Sequence, residues 1–258
     1  MIQIFNKKRL FFDGAMGTML QEGFSPVDIY KKYISAGSDI ITSNTFGVFD
    51  EARVESAMKE LKMAIGDSNV LAALDIGPTG QLLEPYGDLE YDECIEIFQK
   101  AVNAGTKAGA DLILIETMMD INEIKAAVLA AKTSGLPIIA TMTFDKNGRT
   151  SMGVSLETMV NELENLVVDA IGMNCGFGPE LYEELLPKLA ELTKLPILVQ
   201  PNAGLPEIID GKPHYSMTPR KFAKAMKRMS EYATMLGGCC GTTPDHIKEM
   251  IGLCKKLE

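Results

Sequence analysis

Eight short runs rich in Ile, Val, Leu and Phe punctuate this chain, at residues 10–14, 39–46, 70–77, 111–118, 137–144, 170–175, 196–202 and 234–240. Their starts recur every 26 to 41 residues, which suits one strand plus one crossover helix. The runs read as buried on both faces, as parallel strands are. Between them, segments such as 91–108 (apolar Cys94, Ile95, Phe98, Ala101, Val102) and 121–133 (Ile124, Ala127, Val128, Ala131) carry a helical apolar stripe. Eight such units use almost all of the 258 residues, and no linker, charge run or repeat divides them. This predicts one domain over residues 1–258, a single (β/α)8 TIM barrel, with a doubly wound open sheet as the competing arrangement.

Charge and composition narrow the setting. With 25 Lys+Arg against 35 Asp+Glu and a net charge of -10, there is no basic footprint for nucleic acid. No apolar stretch approaches the ~18 residues of a membrane span. The opening residues place their basic side chains after the first apolar ones and lack an apolar core, so no secretory signal is expected. The expected location is cytoplasmic, where five cysteines point to metal binding or catalysis before disulfides.

In a barrel, chemistry gathers where the strands end and the strand-to-helix loops converge. Here those ends read Asp13-Gly14-Ala15-Met16-Gly17-Thr18, Ser43-Asn44-Thr45-Phe46-Gly47, Gly77-Pro78-Thr79-Gly80, Glu116-Thr117-Met118, Thr143-Phe144-Asp145, Asn174-Cys175-Gly176, Gln200-Pro201-Asn202-Ala203-Gly204 and Gly237-Gly238-Cys239-Cys240-Gly241. Cys175, Cys239 and Cys240 thus come to one end of strands six and eight, where they could share an ion. Three thiolates with an open fourth position suit catalytic zinc. Adjacent cysteines on a regular strand point to opposite faces, so Cys239 and Cys240 require a broken strand, which the flanking glycines permit. The plainer alternative, ordinary buried thiols, is weakened by the coincidence of Cys175 at the same end. Cys94 and Cys254 read as packing residues in helices, and His214 and His246 as surface residues. Asp13 and Glu116, each a turn or cap residue if alone, become a candidate pair for a cationic group across the mouth. The glycine run before a helix starting near Thr243-Pro244 also fits a phosphate cradle, an odd neighbour for two thiolates.

These strand ends, with Ile76-Gly77-Pro78, Gly172-Met173-Asn174-Cys175 and the run from Gly237 to Pro244, resemble the homocysteine S-methyltransferase family. The likeness covers almost the whole chain and is strongest to the homocysteine-binding module of cobalamin-dependent methionine synthases. It implies a zinc TIM barrel that methylates the thiol of homocysteine to give methionine, with Cys175, Cys239 and Cys240 as zinc ligands and Asn202 as a fourth ligand before substrate arrives. It further implies Asp13 and Glu116 as partners of the substrate amino group. The carboxylate would meet backbone N–H groups near Ser43, Asn44 or Phe144. Zinc turns a thiol of pKa ~8.5 into the nucleophilic thiolate, so no protein base is required. Neither His214 nor His246 sits in an Asp-x-His-x-x-Gly cobalamin motif, so methylcobalamin would arrive on a separate corrinoid protein. S-methylmethionine or another small onium donor is the alternative, and a non-catalytic homocysteine-binding subunit a further one. A phosphate-binding aldolase would need a strand-end Lys, which is lacking. Compared with the family, the loop after the first strand is short, with residues 23–28 alone before Ile29, and this favours docking of a large donor.

Overall fold

The computed structural model describes residues 9–209 and 211–255; the opening residues behind the signal-peptide expectation, and Asp210 beside His214, lie outside them. In chain order the elements are β1 (Leu10–Phe11), α1 (Gly17–Gln21), α2 (Pro26–Ala36), β2 (Ile40–Thr42), α3 (Glu51–Ile65), β3 (Leu71–Ile76), α4 (Tyr91–Lys107), β4 (Leu112–Met118), α5 (Ile121–Lys132), β5 (Ile138–Met142), α6 (Leu156–Asn165), β6 (Ala170–Asn174), α7 (Pro179–Leu192), β7 (Ile197–Gln200), β8 (Glu207–Ile209), β9 (Lys212–His214), α8 (Pro219–Met229), β10 (Met235–Leu236) and α9 (Pro244–Cys254). Eight strands pair in the order β1-β10-β7-β6-β5-β4-β3-β2, all parallel. A parallel bridge between Phe12 and Ile40 joins the two outer strands. The ring is therefore closed, which excludes the open doubly wound sheet and gives the (β/α)8 barrel.

Most helices start where a short polar side chain meets the first turn. Ser25, Asp50, Asp120, Ser155 and Thr218 each accept a backbone N–H of the helix they precede. The expected helices over 91–108 and 121–133 end within one residue of α4 and α5. The strands are shorter than the apolar runs at their carboxyl ends, above all β1 and β10, because the residues beyond leave the ladder to build the mouth. The small antiparallel hairpin β8–β9 that follows β7 has no counterpart among the apolar runs. Among the described residues no helix is long and apolar enough to cross a membrane.

Two apolar cores follow from strand alternation. Leu74, Ile76, Ile113, Ile115 and Ile171 face outward to the helices. Leu10, Phe12, Ile40, Ala73, Leu112, Leu114, Ile139, Ala170, Leu198 and Met235 fill the barrel interior. Two residues further along these inward-facing rows stand Thr42, Asp75, Glu116, Thr141 and Gln200, with Asn174 four beyond Ala170. The last interior layer is thus polar, and it forms the floor of the mouth.

Packing between β6 and β7 leaves no room for a side chain at Gly172, where a Cβ would lie 2.0 Å from the Leu198 carbonyl oxygen. Gly172→Ala is expected to destabilise the fold by about 1–3 kcal/mol, read as a lowered urea midpoint at unchanged slope.

Candidate functional site

The three mouth cysteines converge. Cys175 follows β6 with φ 62°, a left-handed conformation costly for a residue with a Cβ. Its N–H donates to Gln200 O at 3.0 Å, and its carbonyl accepts from Tyr182 Oη at 2.5 Å. Past β10 the chain breaks into a turn: Cys239 N–H donates to Pro201 O, and Cys239 O accepts from the Thr242 N–H and, at 2.7 Å, from Thr242 Oγ1. This brings both adjacent thiols to one side. The Cys239 and Cys240 sulfurs lie 4.0 Å apart, and all three sulfurs fall within 4.8 Å of one another. Tetrahedral zinc with ~2.3 Å Zn–S bonds needs sulfurs about 3.8 Å apart, so the set fits the ion with small adjustments. The three thiols share charge unevenly: hydrogen bonds from Cys175 and then Cys239 draw the Cys240 thiol well below the usual thiol range, while the Cys175 and Cys239 thiols are held above it. No comparable cluster of ligating side chains occurs elsewhere among the described residues.

Beside the sulfurs opens a cavity of about 420 Å³, lined by residues that include Asn44, Asp75, Glu116, Cys175, Gln200, Cys239 and Cys240. Asp13, behind this wall, is buried and accepts from Thr42 N–H (3.0 Å) and from Thr42 Oγ1 (3.1 Å to either oxygen). Burial pushes its carboxyl up to about 7 against those bonds. Burial, then the neighbouring Asp13 and Cys240, pushes Glu116 up to about 8. Burial, then Glu116 and Asp13, holds Asp75 well above the usual carboxylate range. Asn174 joins the acids to the cysteines. Its Nδ2 donates to Thr117 Oγ1 (2.7 Å) and Glu116 Oε2 (3.3 Å), and its Oδ1 accepts from Thr117 N–H and Thr141 Oγ1. Thr117 takes φ 61° where the β4–β5 register shifts, and this bulge sets the carboxyl end of β4 beside Asn174.

Several expectations change. Ser43 and Asn44 line the cavity, but their N–H groups are committed to Ala73 O and Tyr30 Oη, so neither is free to meet a carboxylate. The Phe144 side chain is buried in the strand–helix core and does not line the cavity. Asn202 is buried, and its Oδ1 has no hydrogen-bond partner. His246 is not a surface residue. It is buried at the start of α9, where Nδ1 caps with Thr243 and Nε2 lies 2.8 Å from Met217 O. His214 is exposed, and Cys94 and Cys254 are buried in helices as expected. The Gly237, Gly238 and Cys239 N–H groups are spent on carbonyls, which takes three of the donors a phosphate cradle would need. Asp75, Asn174 and Tyr215 are additions. Tyr215, after the hairpin, lays its ring on Gly241 and hydrogen-bonds to Cys240.

Residues 10–253 match the family profile described as homocysteine S-methyltransferase. The chain is 29% identical to a methionine synthase of Mycobacterium tuberculosis, covering 97% of this chain and 25% of that protein. It is also 29% identical to a methionine synthase of Mycobacterium leprae, covering 92% of this chain and 24% of that one. It thus spans about a quarter of the length of these curated relatives. Among solved structures, the homocysteine methyltransferase MmuM from Escherichia coli shares the fold. Its metallated form gives a TM-score of 0.79 at 21% identity over 97% of this chain and 98% of that one, and its apo form 0.77 at 23% over 97% of each.

The raised Asp13 carboxyl has a measurable sign. Between the unfolded value of 3.8 and the folded value of about 7, the folded state holds the extra proton, so stability falls as pH rises through that window. In urea unfolding of the metal-free protein, wild type is expected to lose stability relative to Asp13→Asn from pH 4 to about 7 and then run parallel to it. A pH-independent difference would contradict the assignment.

Proposed function

The chain belongs to the homocysteine S-methyltransferase family, and we propose that it transfers a methyl group to the thiol of homocysteine to form methionine, using zinc held by Cys175, Cys239 and Cys240. The observation that carries this reading is three sulfurs within 4.8 Å of one another on the wall of an acid-lined cavity. When bound, zinc supplies the acidity that keeps the substrate thiol as thiolate at neutral pH. The cysteine turn fixes where that sulfur sits. Asn202, with a free buried Oδ1, is the side chain suited to the fourth position before substrate enters. Glu116 receives the substrate amino group with Asp13 as a second acid behind it, and Asn174 holds Glu116 beside Cys175. Orienting sulfur and methyl donor in line supplies much of the acceleration.

The proposed donor is a methyl-corrinoid protein. Large apolar side chains stand exposed on the loops around the mouth: Phe46 after β2, Leu82 and Tyr86 after β3, and Leu205, Ile208 and Ile209 after β7. Tyr86 is 74% and Ile208 72% exposed. A small donor needs no such rim, whereas a docking protein buries one. The five free thiols suit a reducing, cytoplasmic setting.

Purified protein is expected to carry about one zinc and to methylate homocysteine from a methyl-corrinoid protein faster than from free methylcobalamin or S-methylmethionine. Cys239→Ala is expected to lose the zinc and at least about 100-fold in rate. Wild type without zinc, or undiminished turnover in Cys239→Ala, would overturn the reading. Zinc and homocysteine binding without transfer from any donor would mark a binding subunit.

A further inference from the structure

Asp75 and Glu116 line the cavity, Asp13 lies close behind them, and no Lys, Arg or His is among the lining residues. Burial keeps protons on these acids in the empty cavity, and a cationic ligand group that enters can take their place. The three acids differ in what they already hold. Both oxygens of Asp13 accept from Thr42, and Glu116 Oε2 accepts from Asn174. Asp75 Oδ1 accepts from nothing, although the side chain is only 7% exposed. A buried acceptor without a partner is costly, and a ligand donor that reaches the carboxylate from the cavity relieves that cost.

Strand geometry turns this side chain toward the mouth. On β3, Asp75 continues the inward row after Ala73, and its Cα partner on β4 is Leu114, two residues before Glu116. Neighbouring strands thus present two carboxylates to the same side of the mouth. The Asp75 N–H is tied to Ser43 Oγ, and its carbonyl accepts from Thr45 Oγ1. The backbone is braced from β2 while the side chain is left free. Asp75 does not belong to the ligand cluster, which comprises the three cysteines alone among the described residues.

We propose that Asp75 is a specificity-determining residue that receives the α-ammonium group of the acceptor substrate together with Glu116, with Asp13 as a third acid behind them. This rests on the homocysteine reading above. Asp75 is the member whose acceptor oxygen is spent on no other group, so it is the one that most strongly penalises a thiol lacking the ammonium. A site built to hydrogen-bond a polar group rejects the analogue without it, because its own buried group is then left unpaired.

The test compares L-homocysteine with 4-mercaptobutanoic acid, the same molecule without its amino group, by calorimetric titration into zinc-loaded wild type and Asp75→Asn. Wild type is expected to prefer homocysteine by about 100-fold or more, and Asp75→Asn to narrow the preference below about tenfold through weaker homocysteine binding alone. With methyl donor present, KM for homocysteine should rise about tenfold or more while kcat stays within about threefold. Asp75→Ser, which removes the carboxylate without added bulk, should behave alike and guards against a packing defect in the amide variant. Preference retained in both variants, or equal weakening for both thiols, overturns the role of Asp75 and leaves the methyltransferase reading intact. Wild type that binds no homocysteine overturns both.

Discussion

Parallel pairing closed into a ring imposes one orientation on every strand, and the rest of this structure depends on it. All eight carboxyl ends arrive at one mouth, and alternation along each strand decides which side chain looks inward there. Apolar inward positions lower down make a packed hydrocarbon interior. The one layer that can carry polar groups without burying them among hydrocarbons is the last, and Asp75, Glu116, Asn174 and Gln200 occupy it. The sulfurs sit just beyond, where the strands have ended and the chain is free to turn.

Within that layer the acids and the thiols are not independent. Asn174 holds Glu116 and Thr117 with its side chain, and the next residue is Cys175. Thr117 and Cys175 both adopt positive φ, so two strained residues flank one buried amide. Such strain persists only where surrounding bonds over-determine the backbone, and here they do. Displacing β6 by a fraction of an ångström would shift the carboxylate and the thiol together.

Much of the fold was legible in the sequence because Ile, Val and Leu runs separated by one helix each have few ways to be buried. The cysteines were legible because thiols are rare and their strand-end positions coincided. Asp75 escaped notice because it lies inside an apolar run, and only the inward parity of β3, fixed by register, reveals that it faces the mouth. Tyr215 was hidden by the hairpin β8–β9, whose short strands carry no clear periodicity. His246 misled for a different reason. A histidine in the first turn of a helix after Thr-Pro reads as solvated, but the segment at Met217 folds over it and supplies a carbonyl to its second nitrogen. Ser43 and Asn44 were found at the cavity, yet sequence cannot tell which N–H groups the fold has already used.

The strands of the barrel are not equally strong. β1 and β10 have two residues each, and a single bridge from Phe12 to Ile40 completes the circle beside them. Cys239 and Cys240 emerge from β10, and Cys175 emerges from β6 on the far side of β7. Anything that grips all three sulfurs therefore clasps the weakest seam of the cylinder to its well-paired wall. For an ion held there, occupancy of the sulfur cluster and integrity of the barrel would be linked, so that losing the ion would loosen the closure and loosening the closure would weaken the grip on the ion.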